Sequence, residues 1–334
     1  MSEHLPKHYN LLDLVRVYCA CLVIFIHMGL PASASLVPCL ARQSVPFFFL
    51  VSGFFFEKRA SKATNVLSFA LKYAGTILLV YAVWALFWTP YFVKEAIAAY
   101  GDRSALYVIL VVFRRIWLAG AAQYWYLLVL AEGVLLLAFM MRFNAYRLGL
   151  VFCVLGLVLR FVYDMQPSGG IAAVICKAFY TVFSWDNNVV MTGFPLMFLG
   201  YTFSRNGKLL RHMRRTVIGI LYLISVLAAF LVYGFSYSHY GIPFWLIESV
   251  LLFLFCILPA EYEARLPAPL CRAARNLSSV IYLTHTALLS LFGYVFHIWD
   301  TAIRFVLCVA VSILLTYFIK KLNWSPLSKL MMVK

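Results

Sequence analysis

Residues 10–30 read NLLDLVRVYCACLVIFIHMGL, an apolar run long enough to cross a bilayer yet carrying Asp13, Arg16 and His27. In an α-helix, eleven steps of about 100° leave Arg16 and His27 only about 20° apart on one face, roughly 16 Å from each other along the axis. A charge held in lipid costs from a few to more than ten kcal/mol, so such side chains face a protein interior or a wet cavity and mark function. The competing reading is that Arg16 belongs to the cytoplasmic end of the helix and snorkels to the headgroups, with His27 doing the same at the opposite end.

The rest of the chain is built to the same pattern. Of 334 residues, 64% are hydrophobic and only 12% charged, with a mean hydropathy of +0.90. A soluble domain carries about 25% charged residues, so this composition describes a polytopic membrane protein. The formal charge of +16 would point to nucleic acid in a soluble protein. Here it follows from lysines and arginines gathered on cytoplasmic loops, and no nucleic-acid partner is expected. The eight cysteines form no CxxC pair and no cluster with zinc spacing, so they are read as small apolar fillers and no metal is expected. The polar head before residue 11 is short and no small-residue cleavage site follows the run, which is expected to be a retained first span.

Apolar periodicity places spans at 11–30, 43–57, 66–90, 122–142, 146–164, 188–204, 214–235, 242–259, 277–297 and 301–320. The expected fold is therefore an all-α, polytopic bundle of about ten transmembrane helices. It forms a single membrane domain over residues 1–334 with short tails at 1–10 and 321–334. The pieces 104–122 and 169–183, which hold Arg114, Arg115 and Lys177, are read as interfacial or re-entrant helices inside the long outer connections 91–121 and 165–187. With the N-terminus in the cytoplasm, the inner segments hold more than twice as many lysines and arginines as the outer ones. Lys7, Lys58, Arg59, Lys62, Arg205, Lys208, Arg211, Arg265, Arg272, Arg275 and Lys334 are among the inner ones. Both termini are therefore expected in the cytoplasm. The basic clusters at 58–62 and 205–215 are read as topology determinants and lipid-headgroup contacts, and Trp84, Trp88, Trp125, Trp185 and Trp299 as interfacial anchors.

Three constellations hold chemistry. Asp13 lies one turn before Arg16 and can pair with it. His27 carries an imidazole suited to taking a proton from a hydroxyl, and the planar fork of Arg16 suits a phosphate or an acyl carbonyl. In the ninth span, Tyr282 and His285 are one turn apart, and a buried structural histidine bonded to a neighbouring helix is the competing reading. His285 is about nine residues, roughly 13 Å, past the start of that span, which places His27 nearer the outer face than His285. In the second span, Pro46 and the Ser52-Gly53 pair permit a bend and close backbone approach. Helix packing and substrate contact through Ser52 are both open readings. Glu132 and Glu248 also lie within spans, where either could balance Arg16 or Arg160 or carry protons; the sequence does not pair them.

Five segments together resemble the acyltransferase-3 membrane family. Residues 10–27 are similar to its opening helix, with the Arg-x10-His spacing intact. Residues 46–54 resemble its aromatic Ser-Gly segment, QYWYLL (123–128) its tryptophan segment, FPLMFLG (194–200) its Phe-x-x-Gly segment, and 279–285 its late Ser-x-x-Tyr-x-x-His segment. They run in family order over nearly the whole chain. One position departs: Val17 stands where the family usually has glycine after the arginine.

The resemblance implies acyl transfer from acyl-CoA, reached from the cytoplasm, with no permanently bound cofactor. It implies that Arg16 and His27 are the residues most needed, with His285 lining the same cavity. The expected activity is O-acetylation of a hydroxyl on a cell-surface or lipid-linked glycan, at a bacterial inner or cytoplasmic membrane. His27, Arg16 and His285 are then catalytic, and Asp13, Tyr282 and Ser52 contact substrate. Many members carry an extracytoplasmic esterase-like domain. This chain resembles the stand-alone type, which acylates a glycan alone or hands the acyl group to a separate extracytoplasmic transferase. The alternative is a transporter or flippase for a glycan or small polar solute, using the same buried charges.

The charge bias makes a direct topological prediction. In a cysteine-free background, Asp300→Cys is expected to react with an impermeant maleimide in intact cells, and Lys208→Cys and Lys329→Cys only after permeabilisation. Labelling of the latter two in intact cells would reverse the orientation.

Overall fold

The computed structural model describes residues 9–28, 36–117, 120, 122–165, 168–183, 187–233, 242–258 and 266–333. Lys7, Leu30, Trp185, Arg265 and Lys334 lie outside them, as do the ends of the spans expected at 214–235 and 242–259. The described residues are helical, with no strand among them. Seven of these helices are long and apolar enough to cross a membrane. Each of the ten expected spans falls on a helix, three of which are shorter or broken. The chain is an all-α polytopic membrane bundle.

Contacts divide the chain into two compact units, Met1–Phe48 with Asn206–Lys334, and Phe49–Arg205. The boundary falls inside helix α3 (Ser44–Ala60), which follows α1 (Asn10–His27) and α2 (Leu36–Arg42).

The second unit contains α4 (Val66–Tyr100), α5 (Ala105–Trp117), α6 (Trp125–Arg142), α7 (Tyr146–Asp164), α8 (Gly170–Phe183) and α9 (Phe194–Arg205). Helix α4 does not stop at Pro90, where the sequence placed the end of a span. It runs for 35 residues, roughly 52 Å, against a hydrocarbon core of about 30 Å. A proline inside a helix forfeits one backbone hydrogen bond, and here the helix continues because the following turns are held from outside. Helix α5 folds back along α4: Arg115 pairs with Glu95 at 2.8 Å and lies over the Phe92 ring, Tyr100 meets Tyr107, and the Tyr81 hydroxyl donates to the Ile116 carbonyl. The connection expected at 91–121 is thus mostly a helical hairpin, and that at 165–187 contains α8.

A π-helical turn, Val189–Gly193, leads into α9. Pro195 has no N–H to give to the preceding turn, and the wider turn absorbs the mismatch. Asn188 caps it, accepting from the backbone N–H groups of Val190 and Met191 at 2.9 Å each. Arg160 of α7 holds the same turn from the side, donating to Thr192 at 3.0 Å and to Asn187 at 3.2 Å while pairing with Asp164 at 3.2 Å. A charge that the sequence left unpaired thus has its carboxylate one turn on, in its own helix.

Two glycines fix how α3 meets α9. A Cβ on Gly53 would sit 1.9 Å from the Met197 carbonyl oxygen, and one on Gly200 would sit 2.0 Å from that of Leu50. The two backbones touch, which is the small-residue mode of helix association in membranes. Gly53→Ala is therefore expected to destabilise the purified protein by about 1–3 kcal/mol or more, the usual cost of overpacking. Gly75, also on a helix of this unit, faces open space. Gly75→Ala is expected to be neutral or to gain up to about 1 kcal/mol from helix propensity. Thermal unfolding in detergent compares the two, and equal behaviour would remove the backbone contact as the explanation.

Candidate functional site

The first unit holds the start of α3 together with α10 (Gly207–Arg211), α11 (Arg215–Tyr233), α12 (Ile242–Ile257), α13 (Ala268–Ser290), α14 (Thr301–Leu322) and α15 (Ser325–Leu330). Two of its polar side chains find partners within the unit. The buried Gln43, at the turn between α2 and α3, donates to the Tyr222 hydroxyl of α11 at 3.0 Å. Arg215 lies over the Phe255 ring and donates to the Leu258 carbonyl at 3.3 Å.

Within this unit α1 and α13 pack along one another and run parallel, since residues 13 and 275 meet at one end and residues 27 and 285 at the other. Asp13 sits in the first turn of α1, where a carboxylate is favoured by the helix dipole. It accepts from Arg16 at 3.0 Å and also faces Arg275 of α13 at 3.8 Å. The side chains of Arg16 and Asp13 are 19% and 14% exposed and that of Arg275 is 43% exposed. One carboxylate thus sits between two guanidiniums, at the edge of the protein interior.

At the opposite end the His27 and His285 rings lie 5.0 Å apart between centroids, inclined by 47°. His27 is exposed and His285 is fully buried. The Tyr282 ring is 6.4 Å from that of His285, on the shared face that their spacing predicts. His285 Nδ1 lies 2.9 Å from the Ile281 carbonyl oxygen and 2.9 Å from that of Tyr282. Between the two polar ends runs an apolar layer of Ala20 and Ile24 of α1, Ile281 of α13 and Cys308 of α14, flanked by the stacked Phe25 and Phe305.

The structure corrects the relative depth of the two histidines. Helix α13 begins at Ala268, nine residues before the span expected from hydropathy. The stretch 268–276 carries Arg272, Arg275 and Asn276 and so falls outside an apolar span, but Pro269 in its first turn is a helix-start residue. Asn10 to His27 and Ala268 to His285 are then equal lengths of helix, and the rings meet.

Five of the six residues expected to act therefore lie at the two ends of one helix pair: Asp13 and Arg16 at one, His27, His285 and Tyr282 at the other. Ser52 belongs to the second unit, where its hydroxyl is 3.1 Å from that of Tyr126. Arg275 was missed. The sequence counted it among topology determinants, and nothing in its local pattern ties it to Asp13. Neither Glu132 nor Glu248 is needed to explain the charge on Arg16 or Arg160, which have Asp13 and Asp164. Among the described residues no three His, Cys, Asp or Glu side chains are grouped to hold a metal ion.

This arrangement places two guanidiniums at one end of a helix pair and two imidazoles at the other. Comparison with known proteins gives the chemistry its class. The profile of a family described as an acyltransferase domain matches residues 9–321. No curated protein and no solved structure matches the chain. With nearly its whole length covered, from Tyr9 before the first charged helix to Lys321 at the end of α14, the chain belongs to the acyltransferase-3 family and is a membrane acyltransferase.

Proposed function

We propose that the chain transfers an acetyl group from acetyl-CoA, taken from the cytoplasm, to a hydroxyl of a cell-surface or lipid-linked glycan in a bacterial cytoplasmic membrane, with both termini in the cytoplasm. The observation that carries this reading is the exposed His27 standing against His285 on the same helix that presents Arg16 at its other end.

The distance between these ends has a use. Arg16 and His27 are roughly 16 Å apart along the axis, a length of the order of the pantetheine arm that joins the phosphates of CoA to its thioester. With the phosphates at Arg16 and Arg275, the thioester reaches His27. Guanidinium forks bind phosphate oxygens in pairs, and two of them at one site favour a polyanion over a single carboxylate.

At the far end a ring nitrogen of His27 takes the proton from the acceptor hydroxyl as its oxygen attacks the thioester carbonyl. The O–H bond breaks and a C–O bond forms. The tetrahedral intermediate then expels sulfur, the C–S bond breaks, and the proton on His27 passes to the departing thiolate. Acyl ester and free CoA thiol are the products, and His27 returns to its neutral form. The acceptor enters from the exposed side of His27. The chain completes the transfer alone or delivers the acyl group to a separate extracytoplasmic transferase.

Two substitutions test the two ends independently in purified protein, read by thiol release from acetyl-CoA and by donor binding. His27→Ala is expected to lower turnover by about 10²-fold or more, the usual worth of a positioned base, with donor binding retained. Arg16→Lys keeps charge and length but loses the fork, so it is expected to weaken acetyl-CoA binding and lose most turnover, as Arg275→Gln should in milder form. An Arg16→Lys protein that binds and turns over like its parent would make Arg16 a membrane anchor. Near-normal turnover in folded His27→Ala would remove the base.

A further inference from the structure

His285 is held in one protonation form by its own helix. Its Nδ1 faces two carbonyl oxygens, of Ile281 and Tyr282, at 2.9 Å each. A carbonyl oxygen only accepts, so Nδ1 carries a hydrogen and shares it between them. A neutral imidazole has a single N–H, which leaves a lone pair on Nε2. A second hydrogen there would make an imidazolium, a cation with no counter-charge shown beside it in a fully buried ring, and that is costly. His285 Nε2 is itself buried and has no hydrogen-bond partner among the described residues. The neighbouring ring is His27, 5.0 Å away between centroids.

We propose that His285 is a positioning residue that acts through His27: its Nε2 lone pair accepts the N–H of one His27 nitrogen and so leaves the lone pair of the other, on the exposed side, free for the acceptor hydroxyl. The terminal torsion of His27 is broad, and the proposal requires the ring to turn so that an N–H faces Nε2. The logic is that of any catalytic imidazole whose tautomer is set by a buried acceptor on its second nitrogen. When His27 takes the hydroxyl proton, its N–H toward His285 becomes charge-assisted and strengthens, stabilising the imidazolium while the proton waits for the thiolate. His285 gains and loses no proton in the cycle. The proposal rests on His27 being the base.

Three measurements on the full-length protein decide it. In ¹⁵N-histidine-labelled protein, the resonances that vanish in His285→Gln are expected to show a protonated Nδ1 and an unprotonated Nε2. The reverse tautomer overturns the proposal whatever the kinetics show. Glutamine can donate its amide hydrogens to the same carbonyls and still present an acceptor oxygen, whereas leucine fills similar space with no polar atom. His285→Gln is therefore expected to keep turnover within about tenfold, and His285→Leu to lose about 10²-fold in kcat with the acetyl-CoA KM little changed. Equal losses in both folded variants would make His285 a packing residue only. Finally, a residue acting through His27 has nothing to act on once His27 is gone. His285→Leu is expected to cost nothing further in a His27→Ala background, and additive losses would refute the link. If His27→Ala alone leaves turnover intact, the assignment of the base fails, and the nitrogen shifts still report the state of His285 separately.

Discussion

The parallel packing of α1 against α13 is the constraint on which the candidate site depends. A membrane helix that carries Asp13, Arg16 and His27 needs partners at two depths, because lipid supplies none. One second helix supplies both, since it starts level with the first and runs the same way. Arg275 then meets Asp13 and His285 meets His27. The small and branched side chains between them, Ala20, Ile24 and Ile281, let the helices approach and keep the two polar ends apart. Helix α14 closes the pair from the side through Cys308 and the Phe25–Phe305 stack. Separation of the ends is thus a property of helix rise, 1.5 Å per residue, and not of flexible loops.

Much of this was legible in the sequence, and the rest failed for identifiable reasons. Apolar runs place helices, seven of them among the described residues long and apolar enough to cross a membrane, because in a bilayer the backbone has no other way to satisfy itself within a segment. Local pairs were equally readable: Asp13 with Arg16, and Tyr282 with His285, follow from one helical turn. The failures came where polarity and helicity part company. Hydropathy starts a span at Leu277 and ends one at Pro90, yet α13 starts before the first and α4 continues past the second. The early start of α13 alone misplaced His285 in depth. The meeting of α1 with α13 joins residues far apart in the chain, and no spacing rule reaches that distance, so Arg275 looked like one more cytoplasmic charge.

The five segments that mark the family divide by physical role. The opening helix and the late Ser-x-x-Tyr-x-x-His segment form the charged and imidazole ends. The three middle ones make packing contacts within the second unit. Gly53 and Gly200 bring α3 and α9 backbone to backbone, Tyr124 stacks on Trp84 at 5.3 Å, and Pro195 follows the π-helical turn that Arg160 holds. Ser52, read from sequence as a substrate contact, sits on the helix that carries Gly53 and faces Tyr126. A motif rich in glycine, proline and aromatic residues in a membrane helix states first how closely helices approach.

The charged end shows how one carboxylate stabilises two arginines at the edge of a protein interior. Two guanidiniums with no counter-ion, partly withdrawn from water, would repel each other and raise the cost of folding. Asp13 offsets that in the free protein, yet at 3.0 and 3.8 Å from the two arginines it leaves the trio with one net positive charge. Under the proposed function a polyphosphate would complete the neutralisation at these two forks. A single carboxylate shared by two arginines thereby holds both guanidiniums at one end of the helix pair. The same economy holds at the other end: the carbonyls of Ile281 and Tyr282 satisfy one nitrogen of His285 and leave the other for His27. In both places partners from one helix pair hold a polar group inside a membrane protein, and the proposed chemistry uses those same groups.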